Sequence, residues 1–490
     1  MTPRSSHSDP LQIAEVRVHP SYGPIGITFC PGKKQPDAMT GGWDRDLDID
    51  VETIHDWGAA AVVTLVEDHE LVSLKVAKLG DAVRHRHMAW HHLPIPDGSP
   101  PGDSFEANWA REGEELRARL RDGFGILIHC KGGLGRAGTL AGRLLVELGV
   151  QPDAAVNRVR QVRPGAIETL AQETHVLGLV HVPEPTPDTS DEAIRDRAVG
   201  ALLGLAVGDA LGTTLEFKTR DTYAPINDMV GGGPFRLRPG EWTDDTAMAL
   251  ALADSLRGRT DLDEADLMRR FVQWYDRGTY SCTGKCFDIG VTTREALHRY
   301  KGNGDPIAGS TNPNKAGNGS LMRLSPVAIR FWRDRDKLKD VAARQSRTTH
   351  GAPEAVDACV AYAEAIADAI EGRRRSEVMR ERIAPFAGKI ANVMAGSWRG
   401  RHRDEVSGSG YVAHALEASL WSIGRTGTFG EAVLLAANLG DDADTTAAIT
   451  GQLAGALYGE SGIPGCWRER VAWGHRITRM AEGLLEPVVG

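Results

Sequence analysis

The sequence predicts two domains, an α/β unit built on a mostly parallel sheet followed by an all-α unit. Three observations carry that expectation. The chain has 490 residues, more than one ordinary core accommodates. Strand-like and helix-like runs alternate to about residue 180, after which long alanine- and glycine-rich periodic segments take over. Between the two patterns lies Val182-Pro-Glu-Pro-Thr-Pro-Asp-Thr-Ser-Asp191, three prolines among acidic and hydroxyl residues, which is linker composition. The expected boundaries are 1–182, a Pro-rich linker 183–192, and 193–490.

Composition narrows the function classes. Acidic residues exceed basic ones, 66 against 57, for a net charge of -9, so the basic footprint of a general nucleic-acid binder is missing. Six cysteines at irregular spacing, with no C-x-x-C pair, match neither a disulfide framework nor a zinc site. The opening MTPRSSHSDP lacks a signal-peptide apolar core, and no run of about eighteen apolar residues appears. A soluble cytoplasmic protein with no membrane partner is expected.

In the first part, Ala59 to Leu65 reads as a buried strand, Glu67 to about Arg86 as helical and His91 to Pro96 as extended. Ser104 to Arg121 reads as an amphipathic helix, Gly125 to His129 as a buried strand and Gly138 to Leu148 as a helix. Between the last strand and helix stands His129-Cys130-Lys131-Gly132-Gly133-Leu134-Gly135-Arg136-Ala137-Gly138. The glycines let successive backbone N–H groups of this loop (Lys131 to Gly135) curl around one anion, and the helix N-terminus adds its dipole. The same field favours a thiolate at Cys130, and Arg136 offers two donors to phosphoryl oxygens. Asp97, in His92-Leu93-Pro94-Ile95-Pro96-Asp97, is the candidate acid for a leaving alkoxide.

Residues 15 to 180 resemble the dual-specificity branch of the protein tyrosine phosphatases, close to the kinase-associated phosphatases. Asp44-Arg45-Asp46-Leu47, the Asp97 segment, the cysteine loop, and Arg163-Pro-Gly-Ala-Ile-Glu-Thr169 with Gln172 carry the likeness. It implies Cys130 as nucleophile, Arg136 as phosphate ligand, Asp97 as general acid, a phosphorylated substrate and no cofactor. Many members place Ser or Thr after the arginine to help the thiolate leave; here Ala137 stands there, with Thr139 nearby in sequence.

The second part is organised around two acidic helix starts. Gly440-Asp441-Asp442-Ala443-Asp444-Thr445-Thr446 precedes an alanine-rich run, Ala447 to Tyr458. Trp242-Thr243-Asp244-Asp245-Thr246 precedes another, Ala247 to Leu256. One helix cap needs one carboxylate, and two doubly acidic starts in one apolar domain repel unless cations lie between them. Oxygen-only ligands suit Mg²⁺ or Mn²⁺ rather than zinc. Gly200, Gly204, Gly208 and Gly212 line one helix face and permit close packing, and Asp209 argues against a membrane helix there. Asp209 and Glu216 are acids near an apolar element and need partners. Lys315-Ala316-Gly317-Asn318-Gly319-Ser320-Leu321-Met322-Arg323 offers backbone N–H groups to an anion such as a pyrophosphate.

These pieces, with Phe287-Asp288-Ile289-Gly290 and Thr348-Thr349-His350-Gly351, are similar in order to the ADP-ribosylglycohydrolase family over residues 195 to 485. The likeness implies an all-α fold holding two Mg²⁺ or Mn²⁺ ions that bind the distal ribose of an ADP-ribosyl group. It implies Thr243, Asp244, Asp245, Asp442, Asp444 and Thr445 as metal ligands and Glu216 as the acid near the ions. Gly317, Asn318, Gly319, Ser320, Met322 and Arg323, with His350, become substrate contacts. Either Glu216 or Asp245 serves as the proton shuttle in glycosidic cleavage. The expected function is a bifunctional hydrolase acting on ADP-ribosylated protein, arginine first, and on a phosphomonoester. The competing expectations are a phosphatase-like half that only binds phosphate, and a glycohydrolase half acting on small ADP-ribosides or nucleic acid.

Overall fold

The computed structural model describes residues 3–38 and 41–487. Two compact units divide the chain, one running to Pro185 and including Arg399–His402 and Gly424–Gly427, the other holding the remainder from Thr186.

The first unit is organised by a five-stranded sheet. Its strands are β1 (Ala14–Val16), β2 (Ile25–Phe29), β5 (Ala59–Thr64), β6 (Ala89–His92) and β7 (Gly125–Cys130), while β3 (Lys34–Gln35) and β4 (Trp43–Asp44) form a separate ribbon. The order is β1-β2-β7-β5-β6, and only the β1–β2 pair is antiparallel. Every residue of β5 and β7 is buried, as expected for central parallel strands covered on both faces. Cys130 therefore emerges at the carboxyl end of the central strand, where α/β sheets place ligands.

One expected element divides. The stretch from Glu67 is two helices, Asp68–Ser73 and Leu79–His85. Lys75 takes φ 58 and Val76 N–H donates to Leu71 O at 2.9 Å, the closure that terminates a helix. Burying Leu74 and Val76 favours this stop over a continuous helix. The extended segment continues β6, since Leu93 and Ile95 N–H donate to Thr64 O and Leu65 O, each at 3.0 Å.

The second unit is helical, with no named strand among the described residues. Its axis is the Asp191–Gly212 helix, capped by Ser190, so the helix begins inside the segment with linker composition. Its length and apolarity would suffice to cross a membrane, yet 94% of the apolar window is buried inside the fold. Against it packs the Ala443–Tyr458 helix. A methyl group on Gly200, Gly204, Gly208 or Gly212 would collide with the carbonyl oxygens of Gly455, Gly451, Ala447 and Ala443 respectively. One register rises while the other falls, so the helices are antiparallel and in backbone contact. Only glycine allows that approach. It brings Asp209, on the glycine helix, to the level of Asp444 at the start of its partner.

Candidate active sites

In the first unit, Cys130 opens the loop and the Gly135–Glu147 helix closes it. Gly133 N–H donates to Cys130 Sγ at 3.2 Å, which fixes the sulfur at the mouth of the loop. Gly133 holds φ 70 and lies against the Thr28 backbone, so a side chain fits neither the torsion nor the space. Arg163 braces the loop from below, donating from Nε to Gly133 O at 3.0 Å and from Nη2 to Gly132 O at 3.3 Å. Lys33 Nζ donates to Lys131 O at 3.2 Å, and burial lowers this ammonium to about 8.

Arg136 is buried and its orientation is fixed. Nη1 and Nη2 donate to Glu70 at 2.5 and 3.0 Å, Nη1 to Ile95 O at 3.0 Å, and Nη2 lies 3.1 Å from Asp97. Its buried Nε has no partner, a donor left over for an oxyanion. Burial alone would raise the Glu70 carboxyl, but the Arg136 hydrogen bond and the Glu67 N–H hold it below the usual range. Asp97 is largely exposed at the mouth, consistent in position with a proton donor to a departing group. Glu70 was not singled out from sequence: it sits in a helix with no motif around it, and only the fold brings it to Arg136.

The loop supplies no hydroxyl in place of Ala137. Ala137 is fully buried, and Thr139 Oγ1 donates to Gly135 O at 2.8 Å, back along its own helix. Gln172 caps the Leu170–Leu177 helix, accepting from Glu168 and Thr169 N–H, while its Nε2 donates to Ser99 O at 3.2 Å.

In the second unit, a cavity of about 900 Å³ is lined by Glu216, Asp244, Asp288, Asp441, Asp442, Asp444 and Thr445 on one side. Gly317, Asn318, Gly319, Met322 and His350 are also in its wall. The acids arrive on helix starts. Thr243 occupies the first, non-helical position before the Asp244–Leu256 helix and Asp442 that before the Ala443–Tyr458 helix, so both positive dipole ends lie at the carboxylates. Carboxylate oxygens of Asp209, Asp245 and Asp444 lie within 4.8 Å of one another, and so do those of Glu216, Asp442 and Asp444.

Hydrogen bonding separates holders from available ligands. Asp209 accepts at both oxygens: Thr243 N–H and hydroxyl reach Oδ1 at 2.8 Å each, and Thr246 N–H and hydroxyl reach Oδ2 at 3.0 and 2.6 Å. With its lone pairs occupied, Asp209 caps this helix and aims Thr243 rather than offering an oxygen. Asp245 Oδ1, in contrast, is buried with no partner. Asn318 Nδ2 donates to Asp442 Oδ2 at 2.6 Å, and Ala443 N–H donates to Glu216 Oε2 at 2.8 Å.

Burial first and mutual repulsion second drive these acids toward the neutral form. Asp209 and Asp442 are pushed to about 7 and Asp288 to about 11, while Asp244, Asp245 and Glu216 are raised far above the carboxylate range. No Lys or Arg forms an ion pair with any of them among the described residues. An unpartnered buried carboxylate oxygen within an all-oxygen acid cluster fits divalent cations. Asp209 and Asp288 had no site role in the sequence reading; the signals were the acid on the glycine face and the Phe287-Asp288-Ile289-Gly290 turn.

Two expected substrate contacts lie outside the cavity wall. Arg323 is fully buried over the Phe271 ring, 4.6 Å from its centroid, and bonds Gln345, Thr348 and Thr349. Ser320 is buried with its hydroxyl 2.8 Å from that of Ser346. Buried and bonded to the segment 345–349, both residues support the Gly317–Gly319 loop from outside the cavity wall. Thr243 and Asp245 also lie behind that wall, within the acid cluster.

Fold and sites together define an α/β domain of the protein tyrosine phosphatase type, joined to a helical domain with an acid-lined cavity. The ADP-ribosylglycohydrolase family pattern matches residues 190–489, and that of the "Swiss Army Knife protein, DSP-PTPase phosphatase domain" matches 35–176. The chain belongs to the ADP-ribosylglycohydrolase family and carries an N-terminal phosphatase-like domain. It is 46% identical over 298 residues to ADP-ribosylarginine hydrolase Tri1 of Pseudomonas putida, spanning 61% of this chain and 80% of that one. Its N-terminal part is 32% identical over 182 residues to cyclin-dependent kinase inhibitor 3 of Rattus norvegicus, 36% of this chain and 81% of that one. A solved ADP-ribosylglycohydrolase-related protein complex aligns with TM-score 0.53 and 40% identity, covering 60% of this chain and 98% of that one.

Proposed function

We propose that the C-terminal domain hydrolyses the glycosidic bond between ADP-ribose and a protein arginine, with two Mg²⁺ or Mn²⁺ ions. The observation that carries this is the meeting of two acid-bearing helix starts at one cavity beside the Gly317–Gly319 loop. The arginine linkage is supported by the likeness to the arginine hydrolase. Thr243, Asp244, Asp245, Asp442, Asp444 and Thr445 would hold the ions. When bound, the ions fix and polarise the ribose hydroxyls and an attacking water.

The chain's own residues do the rest. Asp209 orients Thr243, and Asn318 orients Asp442. The Gly317–Gly319 backbone and His350 shape the wall that receives the diphosphate. Burial, then Arg323, lowers His350 to about 3, so it meets an anion as a neutral hydrogen-bonding ring. Glu216 moves the proton: its Oε2 is anchored on Ala443 N–H while the side chain faces the cavity, whereas Asp245 does not reach the wall. Release of free ADP-ribose from an arginine-ADP-ribosylated protein, with Mg²⁺ and with chelator, tests the reading. Metal-dependent release is expected; none from a folded, metal-loaded chain sinks it.

For the N-terminal domain we propose phosphomonoester cleavage in two steps. Cys130 Sγ attacks phosphorus, the ester oxygen leaves with the Asp97 proton, and water then releases phosphate from sulfur. A second reading, capture with slow release, is favoured by Ala137 and by the Thr139 hydroxyl being committed to Gly135 O. A burst of one equivalent of alcohol followed by a stall would select it, and steady turnover would discard it.

A further inference from the structure

The lip of the acid-lined cavity carries a group of side chains that the proposed chemistry does not use. Phe217 follows Glu216 directly and is 68% exposed, a large apolar ring in water beside a polar site. Its backbone is clamped to the other acidic segment: Phe217 N–H donates to Asp441 O and Asp441 N–H to Lys218 O, both at 2.8 Å. Phe217 and Asp441 hold φ 62 and 58, left-handed values that cost a non-glycine residue on the order of 1–3 kcal/mol. The fold thus holds both residues in strained torsions that present their side chains at the same lip.

The ring is supported from behind. Phe217 meets Phe235 edge to face at 6.2 Å and 73°, and Phe235 packs on Phe287 at 5.2 Å and 54°. Asp441 also lines the cavity but is exposed, and its carboxylate has no hydrogen bond or ion pair among the described residues. Its neighbours Asp442 and Asp444 belong to the inner cluster.

We propose that Phe217 and Asp441 form the subsite for the guanidinium of the target arginine. This rests on the arginine reading above and adds how that linkage is recognised. A guanidinium is planar and cationic, stacks on an aromatic face and accepts a carboxylate along its edge. An ester- or ether-linked aglycone offers neither property. Because Glu216 and Phe217 are adjacent, a guanidinium on the ring lies next to the proposed proton carrier. The carboxylate of Asp441 also favours the protonated, departing form of the group.

The full chain carries the test, with Phe217→Ala, Phe217→Tyr and Asp441→Asn compared with wild type. Each variant leaves the main-chain clamp in place, and Asn tolerates the left-handed torsion. Phe217→Ala and Asp441→Asn should each lower kcat/KM on an arginine-ADP-ribosylated peptide about tenfold. The inhibition constant of free ADP-ribose, which lacks the guanidinium, should stay within about twofold, and Phe217→Tyr should retain wild-type rates. An active wild type with unchanged variants overturns the subsite alone. A parallel rise in the ADP-ribose constant also overturns it, assigning the ring to the adenine instead. A wild type that releases nothing from arginine overturns the arginine reading and the subsite together.

Discussion

At the end of β7, Arg136 is already paired with Glu70 and still keeps a free Nε. In the helical unit, Glu216, Asp244, Asp245, Asp288, Asp442 and Asp444 gather with no Lys or Arg ion-paired to any of them among the described residues. The first arrangement is electrically balanced before any ligand arrives, so its orientation is built into the fold. The second is unbalanced, and full ionisation of its acids requires cations from solution. A cradle for an anion can thus be preassembled from backbone and one locked guanidinium, whereas an acid cluster is completed only by what it binds.

The sharpest way to break this contrast is to remove one acid from the unbalanced site. Asp444→Ala, shared by both oxygen clusters, should lower ADP-ribose release by ~10³-fold or more while phosphomonoester cleavage stays at wild type. Comparable release by this variant would dissolve the proposed metal role. The next largest effect concerns the frame. Gly204→Val drives a side chain into the Gly451 carbonyl and should cost about 3 kcal/mol of stability, with weaker Mn²⁺ binding by titration. Gly132→Ala in the phosphate loop meets open space and should change stability by less than about 0.5 kcal/mol.

A pH series sharpens the other side. His129, fully buried with Thr64 Oγ1 2.8 Å from its Nε2, is lowered by burial from 6.5 to about 3. Between these values the unfolded chain binds a proton that the folded chain refuses. Stability is therefore complete above pH 6.5 and falls as pH drops, by up to about 1.4 kcal/mol per unit. His129→Gln should flatten that slope in denaturant titrations of the N-terminal unit; an unaltered slope would assign the acid sensitivity elsewhere. At the phosphate loop itself, Glu70→Gln keeps the shape but not the charge beside Arg136. It should reduce phosphomonoester kcat/KM about tenfold and leave ADP-ribose release untouched.

Much of this was legible in the residues because it is local. Alternating buried strands and helices gave the α/β unit, and Cys130, Arg136 and the glycines between them form one contiguous loop. The four-residue glycine spacing foretold close helix packing. What escaped depends on long-range folding: Glu70 reaches Arg136 across 66 positions. Asp209 reaches Thr243 across 34 and fills its acceptor sites there. The inward turn of the Arg323 and Ser320 side chains escaped for the same reason, since their position in the glycine loop does not reveal it. Strands β1 and β2 were also missed: β1 has three residues with Glu15 at its centre, and Gly26 and Thr28 break the apolar run of β2.

The glycine seam works as a ruler. Side-chain rotamers usually set the spacing of liganding groups, but here two backbones in contact set it, step by step in intervals of four residues. A slip of one interval, four residues, would carry Asp444 past Asp209 by about 6 Å, just over one helical turn. No intermediate register exists in which the carbonyls still find glycines opposite them. The acid cluster is therefore either in full alignment or a whole turn away. Mutational drift across this seam should be quantised, tolerating almost no gradual change in the distance between the two acidic helix starts.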